Sequence, residues 1–477
     1  MKKILYIIPL IICFSCVDTL EEDPKDFISE ENFYNSEADA EAAVIAVYES
    51  NLALYDPWMY SLLTIHSDYC NGTGSQQNIG DYSVLLNGTN ISRVALVYEN
   101  LYQGINRANV VIQKVPEIEF NESTKSELLA EAHFLRAYYY FYLVRLFGPV
   151  PLRLEEFRSD DQVGAPRESI DKVYQVILDD LAIAETDLPD GYPDSETGRA
   201  TLWAAKAILA DVHLTLGNFQ EVLDLTEGVI NESGLSLAKV NEPDDFQEIF
   251  GANVNQHSEY IFSVHYAQAR GTQIPAFTHA VQKGYSAAGY RAYHAEPLSF
   301  IGSWDGADLR KGHNLYDSYI DPNGVSQELP LLFGKFRDGN ASAADAHSMK
   351  LPIYRYADIL LMWAEASNQL SGPTSQSFER FNMVHRRAYG YDPDMASPVD
   401  IGGLNKQEFQ DLILLERGKE FIMEPKRWFD LLRTNTAKAV IEDMGKSFND
   451  ARLLFPIPIT EIQNNPAISY SDQNPGY

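Results

Sequence analysis

Residues 199–232 carry the pattern that most restricts the fold. Leu202, Ala204, Ala205, Ala207, Leu209, Ala210 and Leu214 recur at helical spacing, Leu216-Gly217-Asn218-Phe219 reads as a turn, and Glu221 to Ile230 form a second helix. Small side chains let two helices approach closely, and Gly217 ends the first one. Such a hairpin leaves an apolar side uncovered until further hairpins stack on it, which is the logic of a tetratricopeptide repeat. A second pair reads at Tyr356 to Leu370 and Ser377 to Tyr389, separated by Gly372-Pro373. Elsewhere the repeat period of about 34 is only loosely kept. The expected fold is mainly α: tetratricopeptide-like hairpins forming a curved scaffold, with an irregular, loop-rich lobe carrying short strands.

More helices precede these pairs. Ala40, Ala43, Val44, Val47 and Leu54 mark a helix over 37–55, and Val94, Val97, Leu101, Ile105, Ala108 and Ile112 mark one over 92–114 that stops at Pro116. Thr124 and Glu127 read as a capping box for a long helix through Leu128, Leu135 and Leu143, ending before Gly148-Pro149. Its run Tyr138 to Tyr142 is aromatic on every face. A sugar platform is one reading, but a helix buried between two neighbours explains the pattern better. Residues 56–91 and 236–350 are rich in Gly, Asn, Asp, Ser and aromatics, so they read as long loops with short strands such as Tyr260 to His265. Loops this long are usually functional, and the ligand site is expected there.

The amino terminus reads as an export signal. Lys2 and Lys3 precede an apolar run from Ile4 to Phe14, followed by Ser15, Cys16 and the acidic stretch Asp18 to Asp23. The run is too short to span a bilayer, which takes about 20 residues, so it is expected to be cleaved. Residues 1–15 are the expected signal peptide, Cys16 the lipidated first residue, and 16–30 an acidic tether. Cys13 competes, but Ile12 before it is bulky where the peptidase needs a small residue; a plain signal peptide with a chance cysteine is the bland alternative. Loss of Lys2 and Lys3 takes the formal net charge from -31 to -33. So acidic a chain is a poor ligand for nucleic acid or anionic surfaces, and neutral or cationic ligands suit it better. Of the 3 cysteines only Cys70 remains in the mature body, so no internal disulfide is expected. The 28 tyrosines supply flat apolar faces with hydroxyls, suited to stacking on polar rings.

Signs of other chemistry are weak. The ten histidines are scattered without a His-Glu-x-x-His or Cys-His cluster, and neither a Gly-x-Ser-x-Gly nor a phosphate-binding loop appears, so no metal, cofactor or catalytic residue is expected. Asp321-Pro322-Asn323-Gly324 reads as a turn before it reads as a calcium loop. Glu416, Glu420 and Glu424, beside Arg417, Lys419 and Arg427, sit at the spacing of one helical face. An acid and base pair for glycoside hydrolysis is conceivable, but a structural ion-pair network is the better reading. Arg427, Trp428 and Asp430 read as a packing motif.

Several segments, in order, carry a family resemblance. They are Glu31-Asn32-Phe33-Tyr34, Arg136-Ala137-Tyr138-Tyr139-Tyr140-Phe141 with Leu146-Phe147-Gly148-Pro149-Val150-Pro151-Leu152, and Arg199-Ala200-Thr201 before Ala204-Ala205-Lys206-Ala207. In the second half Pro352-Ile353-Tyr354-Arg355-Tyr356-Ala357-Asp358, Glu416-Arg417-Gly418-Lys419-Glu420-Phe421, Arg427-Trp428-Phe429-Asp430-Leu431-Leu432-Arg433, Phe455-Pro456-Ile457-Pro458 and Gln473-Asn474-Pro475-Gly476-Tyr477 follow. With the acidic stretch after the cysteine, this resembles the SusD/RagB outer-membrane lipoproteins of Bacteroidetes across essentially the whole mature chain.

The resemblance implies four tetratricopeptide-like helix pairs supporting an irregular lobe that holds ligand. It divides the chain into an N-terminal helical part over 31–235, a ligand lobe over 236–350 and a C-terminal helical part over 351–477. It implies a surface-exposed, lipid-anchored outer-membrane protein that binds an oligosaccharide or polysaccharide and sits as a lid on a SusC-like TonB-dependent transporter. In that family ligand rests against an arc of aromatic side chains with a few polar groups. Carried over by region, the candidates are Asp68, Tyr69, Asn71, Tyr82, Tyr285, Tyr290, Arg291, Tyr293 and Trp304, with Trp304 and Tyr290 foremost and Trp58 a second choice. A lipoprotein capturing a peptide or another non-sugar nutrient is the alternative, and a surface glycoside hydrolase a more distant one.

Overall fold

A computed structural model describes residues 33–157 and 163–477. Cys16, the acidic tether and Glu31-Asn32 therefore lie outside the described residues. Among the described residues, nine helices of fourteen residues or more form the frame: α1 (Glu37–Leu54), α2 (Gly88–Lys114), α3 (Glu122–Phe147), α4 (Ile170–Asp187), α5 (Leu202–Leu216), α6 (Phe219–Glu232), α7 (Tyr356–Ser371), α8 (Ser375–Ala388) and α9 (Lys406–Glu420). No helix among them is long and apolar enough to cross a membrane. Each packs on the next in sequence from α1 to α8, α1 also touches α3, and α9 packs on α7. The last contact of α6 is with α7, across more than 100 intervening residues, so the irregular lobe is an insertion between stacked hairpins.

The local reasons are capping and small-residue contacts. Gly217 takes φ 78 at the end of α5 and lets α6 double back. The side chain of Asn121, rather than Thr124, caps α3 by accepting from the Ser123 and Thr124 amides at 2.9 and 3.2 Å. That corrects the capping-box reading: the helix starts three residues earlier, where an Asx side chain can reach N2 and N3. α3 is the central helix, and every residue of Tyr138 to Tyr142 is buried. Its hydroxyls are satisfied inside the fold: Tyr55 bonds both Tyr138 and Tyr142, the latter at 2.8 Å, Tyr139 donates to the Val47 carbonyl at 2.8 Å, and Tyr140 to that of Arg153 at 2.8 Å. Gly104 of α2 lies against the Tyr139 ring, 2.5 Å from where a Cβ would stand, so α2 and α3 approach more closely than any side chain allows.

Among the described residues there are eight short strands. β1 (Cys70–Gly72), β5 (Tyr293–Ala295), β7 (Ser326–Phe333) and β6 (Leu315–Ile320) form one sheet in the order β1-β5-β7-β6; β2 (Val150–Pro151) pairs with β3 (Arg167–Glu168), and β4 (Tyr260–Tyr266) with β8 (Met349–Arg355). All the paired strands are antiparallel. Residues 56–65, read from sequence as loop, are a π-helical turn at Tyr55–Met59 followed by the helix Tyr60–Ile65. Asp321 closes the β6–β7 hairpin: its Oδ1 accepts from the Asn323 and Val325 amides, each at 2.9 Å, as an Asx-type turn requires.

A buried charge cluster joins the lobe to the C-terminal helices. Arg355 donates to Glu259 (2.9 Å), Glu420 (3.0 Å) and Glu424 (2.9 Å), while Arg310 reaches Glu416 (2.9 Å) and Glu420 (3.0 Å) and Lys335 reaches Glu424 (2.6 Å). Glu424 lies in the turn after α9 rather than on the helix. Glu416, Glu420 and Glu424 are all buried against cations, so they are the ion-pair network and not an acid–base pair open to substrate. Buried pairs of this kind specify one arrangement more than they add net stability.

Candidate ligand-binding face

Two turns from distant parts of the chain are locked together at the lobe surface. Asp56, two residues before Trp58, accepts from the Thr272 hydroxyl at 2.7 Å and the Gln273 amide at 2.8 Å. That fixes Trp58 beside the short helix Ile274–Thr278, which carries Phe277. Burial pushes the Asp56 carboxyl up, against the pull of these two hydrogen bonds. Phe277 then meets the Trp58 edge at a centroid distance of 6.1 Å and the Tyr290 ring at 5.2 Å, both T-shaped. Arg93 lies 4.2 Å from the Trp58 ring centroid, its guanidinium held by Asn90 Oδ1 at 2.6 Å and Ser75 Oγ at 2.7 Å.

Tyr290 and Arg291 are presented by a closed loop. The Tyr290 amide donates to the Ala276 carbonyl at 2.7 Å and the Ala292 amide to that of Phe277 at 2.6 Å. Across the sheet edge, Thr73 donates its amide to the Ala292 carbonyl at 3.0 Å and its hydroxyl to that of Arg291 at 3.3 Å. Arg291 takes φ 51, and Gly289 sits where a Cβ would stand 2.3 Å from the Val281 nitrogen. The backbone thus turns outward at these two residues, leaving Tyr290 54% exposed and Arg291 exposed beside it. Trp58 and Phe277 remain partly exposed. The result is a stepped aromatic face, Trp58–Phe277–Tyr290, with a cationic donor at its edge. Such a face stacks on apolar ring faces and bonds hydroxyls.

The other candidates are placed differently. Trp304 is buried, and its indole N–H donates to Asp308 Oδ2 at 2.8 Å, which in turn pairs with Arg310. Its expected stacking on ligand is therefore corrected: the ring has no face at the surface. Asp68 is buried in a bidentate pair with Arg427, Tyr69 accepts from the Met423 amide at 3.1 Å, Tyr82 donates to the Ser67 carbonyl at 2.8 Å, and Tyr293 shares a 2.6 Å bond with Ser61. These four are at most 2% exposed and serve the lobe's own core. Tyr285 is half-buried, covered by the Arg337 guanidinium at 4.1 Å. Asn71 is half-buried between Glu296 Oε2 (2.7 Å) and Lys446 Nζ (3.0 Å). Burial alone would raise Glu296; Lys446, Asn71 and the Leu298 amide outweigh it and hold the carboxyl low. Cys70 is buried with its thiol pushed well up.

Phe277 and Arg93 complete the face without having been expected there. Phe277 follows Ile274-Pro275-Ala276, which in sequence reads as one more apolar loop residue, and Arg93 sits on an otherwise amphipathic helix. Neither carries a local signal: Phe277 is brought to Trp58 across the Asp56–Thr272 contact between segments 216 residues apart, and Arg93 is set over Trp58 by its bonds to Asn90 and Ser75.

Comparison with known proteins agrees with this architecture. The family described as "Starch-binding associating with outer membrane" matches residues 20–214, and the SusD family matches residues 313–477. SusD-like protein P25 of Formosa agariphila is 26% identical, over 99% of both chains. A SusD superfamily protein from Parabacteroides distasonis has the same fold at TM-score 0.78 and 26% identity, covering 93% of this chain and 100% of that one. A structure titled "Laminarin binding SusD-like protein" shares the fold at TM-score 0.76 and 24% identity, again with 93% and 100% coverage. With family matches over both its first and last parts, full-length relatives and a shared architecture of stacked helices and inserted lobe, the chain belongs to the SusD/RagB family.

Proposed function

We propose that this protein is a lipid-anchored outer-membrane lipoprotein that captures an oligosaccharide or polysaccharide at the cell surface and acts as the lid of a SusC-like TonB-dependent transporter. The observation that carries the reading is the stepped face Trp58–Phe277–Tyr290, braced by Asp56 and edged by Arg291. Sugar rings offer C–H faces to such steps and hydroxyls to a guanidinium. Family membership supports it, as do the words "starch-binding" and "laminarin binding" attached to the matching family and to a fold neighbour. In this reading Tyr290 and Trp58 stack, Arg291 orients, and nothing is cleaved.

The test is retardation of the leaderless protein in native gels loaded with laminarin, starch and a panel of plant, host and microbial polysaccharides. One glycan class should retard it, Tyr290→Ala and Trp58→Ala should each weaken retardation roughly tenfold, on the scale of a lost stacking contact, and polymer length should not change. Absence of retardation by every glycan would sink the carbohydrate reading in favour of a peptide-type nutrient or a lid without its own affinity. Shortened polymer would indicate hydrolysis.

A further inference from the structure

A concavity elsewhere in the molecule shares no residue with the Trp58–Tyr290 face. Its volume is 550 Å³, within the roughly 300–1,000 Å³ of small-molecule pockets. One wall is the connection from α4 to α5, with Tyr192 and Arg199, running into Trp203 in the first turn of α5. The floor is β4 and the segment before it, with His257, Tyr260 and His265.

Both surfaces are built before any ligand arrives. Arg199 is held by Glu131 of α3, with Nε 3.1 Å from Oε2, and by Glu196, and its guanidinium lies 4.4 Å from the Tyr192 ring centroid. Tyr48 donates to the same Glu131 at 2.6 Å and accepts from the Ala200 amide at 2.8 Å, and the Leu202 amide closes the connection onto the Pro189 carbonyl at 2.8 Å. The floor is tied to the end of α6 by Ser236 and Ser258, which exchange two 3.1 Å bonds. The Tyr260 hydroxyl is anchored on the Ile249 carbonyl.

The chemistry inside is specific. Three half-buried aromatic rings, Tyr192, Trp203 and Tyr260, face a space rimmed by the exposed amides of Asn255 and Gln256. The Tyr192 hydroxyl is buried and has no hydrogen-bond partner. The lining cation, Arg199, is already committed to two carboxylates. Burial pushes both His257 and His265 down, the latter to about 4, so both are neutral at pH 7. Exposed Asp190 adds a negative charge at the rim. The groove therefore offers ring faces and neutral donors and acceptors, without an uncompensated positive charge for an anion.

We propose that this groove is a second carbohydrate site, taking a neutral oligosaccharide segment against Trp203 and Tyr260, distinct from the Trp58–Tyr290 face. The proposal rests on the reading of the protein as a carbohydrate binder. A polymer engaging both sites is retained more strongly than by either alone, since the second contact is intramolecular.

The two sites can be read separately in the full chain. Of the 5 tryptophans, Trp304, Trp363 and Trp428 are buried, whereas Trp58 reports the lobe face and Trp203 the groove. The protein is labelled with 5-fluorotryptophan, with resonances assigned by Trp58→Phe and Trp203→Phe, and titrated with neutral trisaccharides of β-1,3-glucan, α-1,4-glucan, xylan and mannan, and with a galacturonate trimer. The expected result is a saturable shift of Trp203 by at least one neutral trisaccharide. That shift should persist in Tyr290→Ala and weaken roughly fivefold when Asn255 and Gln256 are both changed to Ala, the scale of one lost hydrogen bond. A Trp203 signal unmoved by every neutral trisaccharide, or moved only by the galacturonate trimer, overturns the groove. Response of Trp58 alone defeats the groove and leaves the lobe reading standing; response of Trp203 alone does the reverse.

Discussion

Arg427 grips Asp68 in a two-pronged ion pair, Nε to Oδ1 at 2.9 Å and Nη2 to Oδ2 at 2.7 Å, across 359 residues of sequence. Both side chains are buried, so the pair fastens the turn before β1 to the C-terminal helices. Arg427→Ala leaves the Asp68 carboxylate in the interior without its cation and should cost about 3–5 kcal/mol, the scale for breaking one side of a buried pair. Urea denaturation checks this; a loss below about 1 kcal/mol would mean that the pair is solvated and does not hold the lobe.

Acid should unfold the protein in two stages. His66 is pushed down to about 3 and His265 and His279 to about 4, each chiefly by burial, so the folded chain refuses protons that the unfolded chain accepts near 6.5. Their contribution is present above 6.5 and is lost as pH falls below it. Burial alone would raise Glu416, Glu420, Glu424 and Asp430, but neighbouring guanidinium and ammonium groups outweigh it and hold all four low, Glu416 at about 2. The stability they add is present above their unfolded values near 4 and is lost as pH falls toward 2. Urea midpoints at pH 7, about 5.5, about 4 and about 3 should therefore fall with a steepening slope.

Trp304 separates packing from binding. Trp304→Phe removes the indole donor to Asp308 while keeping a ring, and should lower stability by about 1–3 kcal/mol. Glycan retention, measured well below the unfolding midpoint, should equal that of the unmodified chain. Selective loss of retention with unchanged stability would return Trp304 to the ligand surface.

Gly289 tests how far binding depends on loop shape. A methyl group there meets the Val281 nitrogen at 2.3 Å and the His279 carbonyl oxygen at 2.8 Å, so Gly289→Ala must shift the backbone that carries Tyr290 and Arg291. Retention should fall as much as in Tyr290→Ala, with a stability cost of about 1–3 kcal/mol, typical of overpacking. Full retention would show that the loop tolerates repositioning.

The helical frame was legible because burial there follows the helix period. α1, α5, α6, α7 and α8 lie within a few residues of their apolar patterns, and the aromatic run of α3 is buried as its all-round pattern implies. α4 had no helix expectation over 170–187, and two further exceptions have local causes. α2 starts at Gly88, ahead of its apolar stripe, because Asn87 caps it by accepting from the Asn90 amide at 3.0 Å. The 60–65 helix was missed because Ser61 and Thr64 are buried polar residues in what reads as a loop-rich stretch.

The scaffold and the family follow from local sequence: short-range periodicity decides which side of a helix is apolar, and ordered motifs decide kinship. Which aromatic rings of the lobe reach solvent is set instead by long-range contacts in the folded chain. Trp304 and Tyr290 are equally plausible as letters, yet one donates to Asp308 in the interior and the other stands 54% exposed on a loop closed by Ala276 and Phe277. In irregular backbone no period ties a residue's position to its burial. Exposure there is set by contacts between segments far apart in the chain, such as Asp56 with Thr272 and Asp68 with Arg427.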